Sequence, residues 1–233
     1  MANHEKFQVN SWYKNNYNSI NSTAIKGSLT NKILHQLIEK PFKTNKNLKI
    51  LEVGANLGEH IPFVINDFSS YLLTDIRIPK QRNFVENNNG RIDPRGKIYF
   101  EMADVQNLPF ANNSFDRVIS TCLFHHLDDP IRAFNELRRV TKKNGMISIL
   151  LPNDPGILYR FLRRLTTLRN AKKRGIYQEA QFIHALEHRN HYLQLRTLSE
   201  NVFSRDHVSY NYFPLKIKSY NLNALTVLHV TKS

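Results

Sequence analysis

Residues 50–58 read Ile50-Leu51-Glu52-Val53-Gly54-Ala55-Asn56-Leu57-Gly58, and they decide the fold. The apolar run Leu48 to Val53 has the form of a short buried strand, and it delivers the chain into a glycine-bearing turn. Residues with little side chain let a ligand approach the backbone, and a helix starting after the turn offers free N–H groups. The stretch therefore reads as a ligand loop. Its glycines fall as G-x-x-x-G with Asn56 between them, so a dinucleotide fingerprint, G-x-G-x-x-G, fits badly. Glu52 points the same way: a carboxylate just before the loop suits a cationic ligand better than a pyrophosphate, because like charges repel at short range.

Outward from this loop, strand-like and helix-like patterns alternate. Leu29, Ile33, Leu34, Leu37 and Ile38 recur at helical spacing and stop before Pro41. After the loop come an amphipathic segment (61–68), a strand (71–76), a polar helix-like stretch (80–89), and strands at 97–102 and 115–120. Asp129-Pro130 opens a helix with Asp as N-cap and Pro at the first helical position; Ile131, Phe134, Leu137 and Val140 line one face, and Lys142, Lys143 and Gly145 close it. A fifth strand spans 146–151. Strands apolar on both faces and separated by helices predict a parallel sheet covered on both sides. After Pro152 the rhythm changes: 153–195 predict covering helices, 196–203 another helix, and 207–213 and 222–230 two last strands. The expectation is an α/β, Rossmann-like, seven-stranded, mostly parallel sheet with helices on both faces and a helical cover after strand 5.

With 233 residues and 41% hydrophobic content, the chain is long enough for one sizeable core, and one domain is the default. Neither a membrane-spanning run nor a signal-peptide core is visible, and a cytoplasmic location is expected. The single cysteine, Cys122, excludes an intrachain disulfide and a cysteine-based zinc cluster, and no metal is expected. Its apolar neighbour Leu123 reads it as a small buried hydrophobe. Net charge is +14, and residues 156–233 carry 13 basic against 4 acidic residues. That surplus favours an anionic partner, either a phosphate-bearing small molecule or nucleic acid, the latter a lesser expectation. Oligomeric state is not legible.

Five elements in order carry a resemblance: EVGANLG from Glu52, LLTD ending at Asp75, ADVQNLPF from Ala103, NNSFDRVIS with LFHHLDDP from Asn112, and ELRRVTKKNGMISI from Glu136. Together they resemble class I S-adenosylmethionine (SAM) dependent methyltransferases, in the small-molecule branch called methyltransferase type 11. The resemblance implies SAM as cofactor and methyl transfer as activity. It divides the chain into an N-terminal helical cap (1–45), a SAM-binding core (46–152), a helical cover insertion (153–195), and a C-terminal helix with the last two strands (196–233). It implies that Glu52 orients the methionine end and that Gly54, Asn56 and Gly58 form the loop. Asp75, with Ile76 beside it, holds the ribose, Asp104 and Val105 hold the adenine, and Thr121, directly after the fourth strand, joins the cofactor site. Asn56 stands where many relatives carry glycine, and asparagine tolerates left-handed angles.

His125 and His126 follow the fourth strand, where open α/β sheets gather ligands, and a neutral imidazole there is a candidate general base. Arg160, Arg163 and Arg164 have the spacing of one helix face, and the 187–192 stretch EHRNHY concentrates His188, Arg189 and His191. Arg160, Arg164, His188, Arg189 and His191 are therefore candidates to bind the acceptor, with Trp12, Tyr13 and Tyr17 as a candidate aromatic lid. The EHRNHY region resembles methyltransferases of surface polysaccharide synthesis. The expected reaction is O-methylation of a phosphate-bearing small molecule or saccharide intermediate; the alternatives are an RNA methyltransferase and a non-catalytic SAM-binding partner subunit.

Overall fold

The computed structural model describes Trp12, Asn16 and residues 29–39, 47–77 and 97–233. Helix α1 (Leu29–Glu39) leads into β1 (Leu48–Val53), β2 (Phe68–Asp75), β3 (Ile98–Met102) and β4 (Phe115–Thr121). Helix α2 (Pro130–Val140) and β5 (Thr141–Pro152) follow. The cover consists of α3 (Ile157–Arg163), a π-helical turn (Arg164–Leu168), α4 (Arg169–Lys173) and α5 (Tyr177–Glu187). Helix α6 (Tyr192–Val202) and strands β6 (His207–Phe213) and β7 (Leu225–Thr231) end the chain. The polar 80–89 stretch lies outside the described residues.

The strands form one seven-stranded sheet, as the alternating pattern predicts, in the order β3-β2-β1-β4-β5-β7-β6. Strands β1 to β5 run parallel to one another, and β7 runs antiparallel to both β5 and β6. Alternation along β1 splits the core. Leu51 and Val53 join Phe134 and Leu137 of α2, Leu195 of α6 and Phe203 just after it on one face. Ile50 faces the other way, with Ile38 of α1, Tyr71 and Leu73. Burying Phe134 or Leu137 fully contributes roughly 1.5–3 kcal/mol each. The predicted start of α2 holds: the Asp129 carboxylate accepts from the Arg132 N–H at 2.9 Å, and Pro130 opens the helix.

Four local expectations are corrected. The segment after the loop is a single 3-10 turn (Ile61–Phe63) and not a helix, because β2 begins at Phe68 and leaves room for nothing longer. Lys142, Lys143 and Gly145 do not close α2. They lie in β5, where the register with β4 shifts, and the left-handed residue there is Asn144 at φ +61°. Helix α6 starts at Tyr192, four residues before the expected position. Cys122 is exposed and left-handed at φ +52°, because the chain turns sharply as β4 ends.

Candidate functional site

The loop after β1 takes the shape that its glycines allow. Gly54, Asn56 and Gly58 have φ of +63°, +46° and +68°. At Gly54 a Cβ would lie 2.8 Å from the Leu123 side chain, which covers the loop from the end of β4 and would have to shift. Asn56 thus tolerates the left-handed angle expected of it, and its N–H donates to Asp75 Oδ2 at 3.0 Å. Asp75 Oδ1 accepts from the Arg77 N–H at 3.2 Å. Each oxygen of Asp75 retains a second acceptor direction, the requirement for a diol.

The neighbouring candidates differ in exposure. Ile76 presents an exposed apolar side chain beside Asp75. Asp104 is exposed, and its Oδ1 accepts from the Gln106 N–H at 2.9 Å, whereas the Val105 side chain is buried in the core. Thr121, the last residue of β4, is half-buried. Glu52, expected at the methionine end, is buried beneath the loop at 1% exposure, and its Oε2 accepts from the Tyr71 hydroxyl at 2.6 Å. Burial raises the Glu52 pKa above the ordinary carboxyl value.

His125 and His126 lie in a 3-10 turn (Phe124–His126) directly after Leu123. The segment after α5 is clamped onto this turn. The Arg189 and Asn190 N–H groups donate to the His125 carbonyl at 2.9 and 3.2 Å, and Asn190 Nδ2 donates to the Leu127 carbonyl at 2.6 Å. The clamp brings His188 to the pair. Its ring centroid lies 4.3 Å from that of His125 and 5.3 Å from that of His126, and His184 stacks on it at 3.7 Å. Asp154 closes the group, with Oδ2 2.9 Å from His188 Nδ1 and 3.4 Å from His184 Nε2. Burial and the neighbouring rings hold His125 well below the ordinary histidine value. Burial, with His188 nearby, lowers His126 to about 4. Both rings are therefore neutral near pH 7.

The remaining candidates scatter. His191 is exposed and caps α6, its Nδ1 accepting from the Gln194 N–H at 3.2 Å. Arg189 pairs with Asp128 at the surface. Arg160 and Arg164 are exposed, whereas Arg163 is half-buried, near enough to Asp154 to lower that carboxyl's pKa, after burial and His188 and His184 have acted on it. The three arginines do not act as one face, because α3 ends at Arg163 and the chain continues in a π turn. Trp12 packs with Ile176 against Ala171 and Ala180 of the cover. Tyr13 and Tyr17 lie outside the described residues. The sequence reading missed Asp154 and His184, although His184 and His188 stand at the i, i+4 spacing that puts two side chains on one helix face.

Residues 51–149 match the family model of a methyltransferase domain. An uncharacterized methyltransferase of Bacillus subtilis is 28% identical over 139 residues, 58% of this chain and 53% of that protein. The tRNA U34 carboxymethyltransferase of Campylobacter fetus is 29% identical over 117 residues, 47% of this chain and 38% of that protein. The chain thus spans about half, or less, of the length of these relatives. A chain from the complex between the Haloferax volcanii Trm112 methyltransferase activator and a methyltransferase matches with a TM-score of 0.61. The match covers 96% of both chains at 14% identity, a likeness of fold alone. Strand order, loop and motif order agree with this match, and residues 51–149 form a methyltransferase domain of the class I SAM-dependent type.

Proposed function

We propose that the chain transfers the methyl group of SAM to an oxygen atom of a phosphate-bearing small molecule. One observation carries the cofactor half: the left-handed loop of Gly54, Asn56 and Gly58, tied to Asp75 through the Asn56 N–H. In this reading the two free acceptor directions of Asp75 take the ribose hydroxyls. Ile76 packs on the adenine, Asp104 and the Val105 backbone receive its edge, and Glu52 steadies the loop at the methionine end. When bound, SAM supplies a methyl group already activated for in-line displacement. The chain contributes mainly alignment, worth up to ~7–11 kcal/mol in well-oriented systems. His125 and His126, in the turn after β4, border the acceptor as neutral rings.

The acceptor half rests on the cover. Arg160 and Arg164 are exposed beside Ile157, Phe161 and Leu165, which are also exposed. Cations interleaved with apolar side chains suit a phosphate joined to an apolar carrier better than a free sugar phosphate. The pathway, surface polysaccharide synthesis, rests on the EHRNHY resemblance alone. The +14 charge favours RNA as a second reading. Turnover of SAM against lipid-linked phosphates, phosphorylated sugars and small RNAs, at ~50 and ~200 mM salt, separates them. An RNA acceptor loses orders of magnitude in affinity over that range, and one or two phosphates lose far less. SAM binding in calorimetry without turnover of any acceptor would favour the partner-subunit reading, and absence of SAM binding would end the proposal.

A further inference from the structure

We propose that His125, His126 and His188 bind a divalent transition-metal ion, with zinc the first candidate. One ring nitrogen from each of the three lies within 4.8 Å of the others. Tetrahedral zinc with bonds of 2.0–2.1 Å sets its ligand atoms about 3.4 Å apart, a spacing that modest ring rotations reach.

The hydrogen bonds around the rings carry the proposal further than proximity does. The Glu187 carbonyl oxygen can only accept, so His126 Nδ1, 3.0 Å from it, carries the hydrogen, and the neutral ring keeps its lone pair on Nε2. The Asp154 carboxylate does the same to His188, whose Nδ1 lies 2.9 Å from Oδ2. Metal-ligating histidines are held in this way, one nitrogen fixed by a carbonyl or carboxylate and the other free for the ion. His125 supplies the third observation: its Nδ1 is buried and has no hydrogen-bond partner. A metal ion would satisfy that orphaned atom, whereas packing of the stacked rings leaves it unsatisfied.

Asp154, His184 and His188 also converge within 4.8 Å. The two sets share His188, and the Asp154–His188 hydrogen bond assigns Asp154 to support of the ligand. Three protein nitrogens leave a fourth coordination position. That this position receives the oxygen of the methyl acceptor rests on the methyl-transfer reading; binding of the ion does not.

The test uses the tag-free, full chain, stripped with chelator and titrated with ZnCl2 against a fluorescent competing chelator, with CoCl2 as the visible-absorption probe. One equivalent of zinc is expected, with a cobalt band of tetrahedral intensity. His126→Gln and His188→Gln should each weaken zinc binding ~100-fold or more. Asp154→Asn should cost about 10–100-fold, and His207→Gln, at an exposed position on β6, should leave binding unchanged. A wild-type chain that takes up no zinc and gives no cobalt band overturns the proposal, even if the variants fail to fold. So does zinc binding equal to wild type in the folded His126 and His188 variants. A loss in Asp154→Asn greater than in His126→Gln would move the ion to the Asp154–His184–His188 set and overturn the assignment made here. SAM calorimetry on the same samples separates the two readings: metal binding without SAM binding sinks methyl transfer alone, and SAM binding without metal sinks this proposal alone.

Discussion

Two polar groups among the described residues, one buried and one partly buried, are built to opposite rules. The first joins α1 to β4. Glu39 is buried at 2% exposure, yet each of its oxygens accepts two hydrogen bonds: Oε1 from His60 Nε2 and Arg117, Oε2 from Arg117 and the Ile65 N–H. Arg117 also donates to Asn66 Oδ1 at 2.7 Å, and His35 and His60 meet through their Nδ1 atoms at 2.8 Å. The second is the group of His125, His126, His184, His188 and Asp154, whose donors are few and whose His125 Nδ1 is unsatisfied. A carboxylate with four donors is saturated and has nothing left to offer a ligand. A cluster with free lone pairs beyond the carboxyl ends of the parallel strands is where ligands of such sheets gather.

The largest effect should fall on the saturated group. Arg117→Met leaves the Glu39 carboxylate buried without its main partner and should destabilise the chain by about 3–5 kcal/mol in urea unfolding. His126→Gln, in the open group, should cost far less stability. Equal losses would erase the distinction between the two groups.

Acid should act on both groups, since the histidines of the open group are likewise held below the ordinary value by burial. Burial, then His60 nearby, lowers His35 to about 3, and burial, then the Arg117 charge, lowers His229 to about 4. Both take up protons more readily when unfolded, so stability falls as pH drops below ~6.5 and continues to fall until it has passed those values. Glu39 follows. Although burial opposes it, hydrogen bonds from His60 and Arg117 hold it at about 2, so its contribution is complete above ~4.5 and is lost between there and about 2. Each group contributes a slope of up to ~1.4 kcal/mol per pH unit. Urea titrations from pH 7 to 3 should show the steepening below 4.5 disappear in Glu39→Gln; if it persists, Glu39 is not its source.

On the ligand side the expected changes are in binding. Gly54→Ala places a Cβ against Leu123 at a left-handed position and should weaken SAM binding by roughly 1–3 kcal/mol in calorimetry, with partial recovery in Gly54→Ala/Leu123→Ala. Asp75→Ala should cost a similar amount by leaving the ribose hydroxyls unpaired. Failure of the second change to recover affinity would mean that the backbone angle, not Leu123, decides. The smallest effect belongs to the surface: Arg189→Ala removes an exposed pair with Asp128 and should shift stability by ~0.5 kcal/mol or less. Its effect, if the cover binds the acceptor, should appear in the acceptor KM.

How far the sequence reached can be judged at particular residues. The Gly54 to Gly58 loop and the Asp129-Pro130 helix start were legible because each depends on a backbone conformation set within a few residues. The 3-10 turn at Ile61 was not, because an amphipathic pattern cannot say how much room the next strand leaves. Glu52 stands where the family motif places it, but its burial against Tyr71 depends on a strand 19 positions away.

Sequence by itself determined the alternation of strands and helices, the left-handed loop and the place of an acidic residue at the end of the second strand. Those features follow from hydrophobic period and from which residues tolerate positive φ, both local properties. Tertiary structure alone decided that Glu39 meets Arg117 across 78 positions. It also decided that only Arg163 of the arginine stripe turns inward, and that His188 comes to His125 and His126. These pairings depend on how helices dock on the finished sheet, where burial makes an unpaired charge or an orphaned nitrogen costly, and no local pattern carries that information.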